Sequence, residues 1–488
     1  MLVDDMFREP YGERVTRDAI KRLKDSIATD KTLLAQEVSE FLTSKKRREM
    51  IEGELYYRNR QPDVKKTRTA EWQSNTKLKH DFTKLLVNQK VEYLLKDEPT
   101  VAAETDAATT VYESVYDEGL WRRIKNTLTE ALNKSVAYIH PFINEAGDLA
   151  FKSLPAEEVL PFYLDQERME IGSFAHIYNV IEYQGSTKRE ITLVDFYTDT
   201  EVKYYRFDNS TLIEDIGRGL QVEGYFDADG VPYAWGDGLV PLVHFRYNPE
   251  EMRLLDSVKS LIDAYNLIDS TGVDILADIP NFIYVLKNYD GQNLDEFLRH
   301  LNHYRAVKVD SDGGIDALAT NADNSQSIDT RLDRLRYAIY ESGRGVDTRE
   351  ASVGDASGEA LKMRYANLEM DVAKLESETL SSLQHLNRFV QIHLHNTGHA
   401  QAANERLTIT FNKNVIRNES ELIAQCVDSA GIIDAKTIRE HHPWYSSEVE
   451  KRLEEEQAEL QAQAEQFDGL PTVQEDKIKE VETEDDEL

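Results

Sequence analysis

The sequence predicts an α+β fold, mainly helical, in which long helices flank an antiparallel β-rich region. Three observations carry this prediction. Two stretches, 254–279 and 358–398, repeat apolar side chains at steps of three and four. Between 136 and 245 the pattern changes to short β-rich runs, among them VAYIHPFIN, REITLVDFYT and EVKYYRF, separated by turn signals. The chain has 488 residues, more than one usual domain, so several folding units are expected.

Residues 14–60 read as helix, with Ile20, Leu23, Ile27, Leu33, Leu34, Val38, Phe41 and Leu42 at helical spacing. Residues 61–76 are polar, contain Pro62, Lys65, Lys66 and Arg68, and read as a loop. A second helix is expected over 78–95, stopping before Pro99, and a third over 107–133 with Trp121 on its apolar side. The turns at 144–147 and 227–230 mark antiparallel strands, not alternating βαβ units, which argues against a dinucleotide-binding sheet.

The helical period returns at 254. Leu255, Val258, Leu261, Ile262, Tyr265 and Ile268 make an apolar stripe, and Asp256, Lys259, Asp263, Asn266, Ser270, Asp274 and Asp278 fall on the other face. Pro280 ends this helix. The insert 281–325 holds a strand-like run (NFIYVLKNY), a short helix (LDEFLRHLNHY) and a second strand (AVKVD) before Gly313-Gly314. Helix resumes through Ile328, Leu332, Leu335 and Ile339, breaks at Gly343-Arg344-Gly345, and gives way to a polar loop at 346–357. The longest helical run follows, through Leu361, Tyr365, Leu368, Val372, Leu375, Leu383, Leu386 and Val390, with Ser357 as N-cap and Gly398 as C-cap. A strand at 407–414 and helices at 419–430 and 446–466 come next. The tail 471–488 is acidic, carries few large apolar groups, and is expected to be disordered.

Charge is lopsided, with 90 acidic against 57 basic residues and a net charge of −33. Such a surface repels nucleic acid in general, so any DNA contact must be local or must slide without gripping. Cys426 is the only cysteine, which rules out an intrachain disulfide. The N-terminal residues lack the apolar core of a signal peptide, and no stretch reaches membrane-spanning length. No Gly-Lys-Ser or Gly-Lys-Thr exists, so a Walker A loop is absent, and no Cys pair exists for structural zinc. His393, His395 and His399 suit a helix C-terminus better than a metal. The segment beginning Asp310-Ser311-Asp312-Gly313 fails as a calcium loop, because Asn321 stands where a bidentate Glu is needed. No carboxylate spacing singles out a catalytic pair. No catalytic residue, cofactor or metal is therefore expected, and the chain does not read as an enzyme.

Three segments together resemble the portal proteins of tailed phages with long, non-contractile tails. The first runs from Asn75-Thr76-Lys77-Leu78 through Lys90-Val91-Glu92-Tyr93-Leu94-Leu95 to Pro99, although the family often has Gly near Lys96 or Asp97. The second is the apolar strand from Pro241, Tyr247-Asn248, and the helix containing Leu-Ile-Asp-Ala-Tyr-Asn that ends at Asn266. The third is Ser357-Gly358-Glu359-Ala360-Leu361-Lys362, similar to the family's opening of its long wing helix. Gly431-Ile432-Ile433-Asp434-Ala435-Lys436-Thr437 with Pro443 is a weaker fourth.

The resemblance implies a portal fold with wing, stem, clip and crown regions, and a homo-oligomeric ring, usually a dodecamer. The wing would be 1–253 and 358–415, the stem helices 254–279 and 326–344, and the clip 280–325. The tunnel loop would be 345–357 and the crown 416–470. Double-stranded DNA would pass through the ring without sequence readout during packaging and ejection. Other implied partners are a terminase motor, head-completion or adaptor proteins, scaffold and major capsid protein, with no membrane. The place of action would be the portal vertex of the virion, after assembly in the host cytoplasm.

Within that scheme Asp256, Lys259, Asp263, Asp274 and Asp278 are candidates to line the channel, since an acidic wall keeps a duplex centred by repulsion. An ordinary solvated helix face fits those residues equally well. Tunnel-loop candidates are Arg344, Gly345, Asp347, Arg349, Glu350, Ser352, Gly354 and Asp355, a mobile, polar set; a plain helix connector is the alternative. Clip docking candidates are Phe282, Tyr284, Phe297, His300 and Tyr304. The competing reading of the whole chain is an oligomeric scaffold or adaptor built on the long helix as a coiled coil.

Overall fold

The computed structural model describes residues 31–65, 74–165, 168–185, 187–215, 235–236, 238–278, 282–287, 314–319, 323–349, 358–413, 419–445, 449–453 and 456. Its contacts fall into two units: 1–352 with 363–415, and 353–362 with 416–488.

The first unit opens with α1 (Thr32–Thr43) and α2 (Lys45–Tyr57). The continuous helix expected there is broken at Ser44, whose extended backbone and side-chain hydroxyl cap α2 by accepting from the Arg47 N–H. Helix α3 (Phe82–Leu95) starts four residues later than expected. The third expected helix is two, α4 (Asp106–Val115) and α5 (Glu118–Lys134), because Asp117 turns extended and caps α5 at Leu120. At Ser44 and Asp117 a short polar side chain satisfies an N-terminal N–H of the helix that follows.

Among the described residues the strands of the β-rich region pair antiparallel, as its turn signals predicted. Strands β2 (Val136–Ile143), β3 (Leu149–Leu154) and β9 (Val243–Arg246) form one sheet in the order β3-β2-β9. Strands β4 (Val159–Tyr163), β5 (Ile171–Gln184), β6 (Thr187–Tyr197), β7 (Val202–Asp208) and β8 (Thr211–Glu214) form a meander. Leu34 and Val38 of α1 cover one face of that meander against Ala175, Ile177, Val194 and Phe196. A short pair joins β1 (Thr100–Ala102) to β12 (Thr408–Thr410), far apart in sequence.

Helices α6 (Leu254–Asp278) and α7 (Asp323–Ser342) pack antiparallel, with Gly272 against Ile328 at one end and Tyr265 and Tyr340 both edge-on to Phe82 at the other. Between them lies a two-stranded ladder of β10 (Phe282–Lys287) and β11 (Gly314–Ala319). The strand expected at AVKVD and the short helix before it lie outside the described residues; β11 begins at Gly314, where a turn was expected.

The long helix α8 (Gly358–Asn396) runs as predicted. It ends in a Schellman motif: Gly398 has φ +89°, His399 N–H donates to Leu394 O and Gly398 N–H to His395 O. Its stripe of Leu368, Val372, Leu375, Leu383, Leu386, Phe389 and Val390 is buried in the main core with α3, α5, β9 and α6. That stripe is consumed within the chain, so it is not a free coiled-coil seam.

In the second unit, α9 (Glu419–Asp428) is followed by α10 (Ala435–Glu440), capped by Asp434 through the N–H groups of Lys436 and Thr437. Most of the helix expected at 446–466 lies outside the described residues, as does the acidic tail.

Candidate functional site

The polar face of α6 divides into two halves. In the first, Asp256 holds Arg253, and Lys259 pairs with Asp263, which also accepts from the Tyr56 hydroxyl. These side chains keep 32%, 37% and 44% of their surface for Asp256, Lys259 and Asp263. Burial and Asp263 push the Tyr56 phenol up to about 12.

In the second half the same periodicity leads inward. Asn266, Ser270 and Asp274 are 2%, 0% and 0% exposed. Each accepts a backbone N–H from residues 74–81: His80 to Asn266 at 3.1 Å, Leu78 to Ser270 at 2.9 Å and Thr76 to Asp274 at 2.8 Å. The register has a simple origin. Four residues of helix rise about 6 Å, and two residues of extended chain span about 6.6 Å. Side chains at every fourth helical position therefore meet every second N–H of a strap. Those N–H groups are taken by α6 along a strap that stays outside any helix, and α3 begins at Phe82. Asp274, expected on an open channel-facing surface, is instead enclosed beneath this strap. Asp278 closes the helix, and its side chain is outside the described set.

At the far end of α7 the loop candidates are anchored. Arg344 adopts φ +50°. A Cβ on Gly343 or Gly345 would collide with Leu86 of α3, so glycine permits the close approach there. Gln89 brackets Val346, its Oε1 accepting the Val346 N–H at 3.0 Å and its Nε2 donating to the Val346 carbonyl at 2.7 Å. Asp347 receives the Arg336 guanidinium through Nε and Nη2 and accepts the Arg349 N–H. Arg336 holds the Asp347 carboxyl below its ordinary range. Residues 345–349 are thus docked, where mobility was expected from the glycines; Arg349 remains mostly exposed. Glu350, Ser352, Gly354 and Asp355 lie outside the described residues.

Beneath this root sits a cluster that the sequence reading missed. The Lys90 ammonium, 0% exposed, lies 2.7 Å from Asp371 of α8 and donates to the Arg344 carbonyl at 3.2 Å. Asp371 also accepts the Tyr247 hydroxyl at 2.6 Å and faces the Arg344 guanidinium at 3.4 Å. Burial draws the Lys90 pKa down, and Asp371 opposes it. A signal was present: Lys90 falls on the stripe of Leu86 and Leu94, and Asp371 beside Leu368 and Val372, so each charge interrupts an apolar face.

Of the clip candidates, Phe282 and Tyr284 lie on β10 opposite Ala319 and Ala317. Phe297, His300 and Tyr304 lie outside the described residues. Among the described residues no group of three His, Cys, Asp or Glu is placed to hold a metal ion, and no helix is long and apolar enough to cross a membrane.

The family described as phage portal protein, SPP1 Gp6-like, matches residues 43–466. The chain belongs to this family of portal proteins. It is 28% identical over 463 residues to the portal protein of Bacillus phage SPP1, covering 91% of this chain and 90% of that one. The portal protein of Clostridium phage phiCD119 is 26% identical over 443 residues, covering 86% and 94%. A solved structure described as the neck of a native GTA particle, computed with C12 symmetry, aligns at 10% identity over 73% of this chain and 88% of that one. Its TM-score is 0.36, too low to carry an argument.

Proposed function

We infer that the chain acts as a portal: copies of it close into a ring at the capsid vertex, through which double-stranded viral DNA is packaged and later ejected. The observation that carries this is the family match, which runs from α2 to beyond α10 and takes in every helix and strand between.

The division of labour extends that reading. Helices α6 and α7 are the stem, 280–325 is the clip and 345–357 the tunnel loop. The wing is 1–253 with 358–415, and the crown is 416–470. An antiparallel helix pair joined through a small β insert is suited to line a passage, since its two helices brace one another. Leu267, Val273 and Tyr337 are exposed apolar groups on the pair, available to neighbouring copies. The open part of the channel-facing set is Asp256, Lys259 and Asp263; the net charge of −33 keeps the wall from gripping phosphates. The ring number is proposed as twelve. Terminase docks on the clip during packaging and head-completion proteins dock there afterwards; scaffold and major capsid protein are further partners. The chain itself performs no catalytic step, and ATP hydrolysis belongs to the motor.

Electron microscopy of the purified protein tests the ring: annuli with a central hole are expected, and rods or compact dimers would overturn the reading. Pure protein should neither hydrolyse ATP nor cut DNA. Deleting 350–355, which leaves the anchored root intact, should preserve annuli and abolish packaged DNA in a complementation assay; unchanged DNA yield would remove the loop from the mechanism.

A further inference from the structure

We propose that Lys90 is a positioning residue for the tunnel loop. It fixes the point where the chain leaves α7 and ties that point to Asp371 in the helix the chain enters on its return. The proposal rests on the portal reading above.

The anchor is built from one face of α3. Leu86, Gln89 and Lys90 stand at positions i, i+3 and i+4, and all three engage 343–346. Gln89 and Lys90 bond backbone groups, so they hold the path of the chain whatever side chains the loop carries. Asp371 receives Lys90 and the Arg344 side chain together, so the outgoing and returning segments share one carboxylate. The root of the loop is therefore tied to α8 through a buried carboxylate.

An ammonium is a costly choice for simple space filling. Placing a lysine at 0% exposure carries a desolvation penalty that Met or Leu would avoid. Its return here is geometric: one group donates to a carboxylate on α8 and to a carbonyl at the root of the loop. Such a cluster is satisfied in one arrangement and leaves a buried charge in others, which resists drift of the root when the segment beyond it meets a moving duplex.

Three variants test this. Lys90→Met removes both donations and leaves Asp371 with only the Tyr247 hydroxyl and the more distant Arg344 guanidinium. Lys90→Met with Asp371→Leu removes that underpaired charge, so thermal stability should recover in part while the Arg344 carbonyl stays unheld and the Tyr247 hydroxyl and Arg344 guanidinium lose their acceptor. Gln89→Met frees Val346 without uncovering any charge. In each, annuli should form as in the wild type, hydrogen exchange across 344–349 should quicken at least tenfold, and packaged DNA should fall at least tenfold. A purely structural role predicts instead that the double variant regains packaging along with stability. Wild-type packaging in the double variant or in Gln89→Met overturns the proposal while leaving the ring intact. Wild-type protein that forms no annulus overturns the portal reading beneath it.

Discussion

The two halves of α6 carry the same polar period and meet different surroundings. Asp256 pairs with Arg253, and Lys259 and Asp263 pair with each other and with α2, at a half-open surface, whereas Asn266, Ser270 and Asp274 are sealed under 74–81. A helical stripe of polar residues therefore specifies a face that wants hydrogen bonds, and leaves open whether water or a backbone supplies them. In the buried half, each side chain completes a donor that would otherwise be lost, so the groups are costly to remove. In the open half, water stands ready to replace any partner that is taken away.

The largest contrast comes from Asp274→Ala, which removes the carboxylate that accepts the Thr76 N–H and opens a void where it stood. A loss of about 3 kcal/mol is expected, read as a lowered thermal midpoint together with faster exchange of the Thr76 amide. Asp274→Asn keeps an acceptor in place and should recover most of that loss. An Asp274→Ala protein with the wild-type midpoint would mean that the strap does not depend on its ladder. Ser270→Ala withdraws one neutral acceptor and should cost about 1–2 kcal/mol, with the Leu78 amide exchanging faster.

Alkaline titration sharpens the other side of the comparison. The Tyr56 phenol is raised from 10.0 to about 12 by burial and by Asp263. A group whose folded value is raised contributes stability that is complete below the unfolded value and is lost as pH climbs. Stability should therefore decline between about pH 10 and pH 12, as the unfolded phenol ionises first. Tyr56→Phe should flatten that part of the profile. An unchanged slope in Tyr56→Phe would assign the decline to other groups, and the Tyr56–Asp263 contact would lose its part in the open half.

How far the sequence revealed these arrangements depends on whether a pattern is local. The periods of α6, α7 and α8 and the β-rich runs with their turn signals were legible, because each is a local pattern. The Gly398 cap was legible for the same reason. Ser44 and Asp117 were harder to read: a polar residue inside a helical period resembles a solvated position until its side chain is seen capping the next turn. The strap was not legible at all, since residues 74–81 have no period of their own and take their shape from Asn266, Ser270 and Asp274, nearly two hundred positions away. Lys90 and Asp371 left a trace as charges on apolar stripes, but pairing them required the packing of α3 against α8. At the loop root, the glycines that suggested freedom serve close approach to Leu86. Glycine in sequence marks a backbone that needs room, and motion is only one use of it.

The smallest expected effect lies in the open half and is the most exacting check on the comparison. Lys259 is 2.9 Å from Asp263 and its ammonium stands 5.4 Å from the Tyr56 ring centre, so its list of partners is as long as that of a buried residue. Counting partners alone would predict a loss like that of Asp274→Ala. Solvent access predicts otherwise. Removing an ion from a partly exposed pair costs well under about 1 kcal/mol, because water takes over Asp263 and salt screens what is left. Lys259→Met keeps the apolar stem over Tyr56 and should lower the thermal midpoint only slightly, with the difference shrinking further as ionic strength rises. A loss as large as that of Asp274→Ala would mean that this half of the helix is also sealed, by a neighbouring copy in the assembled ring.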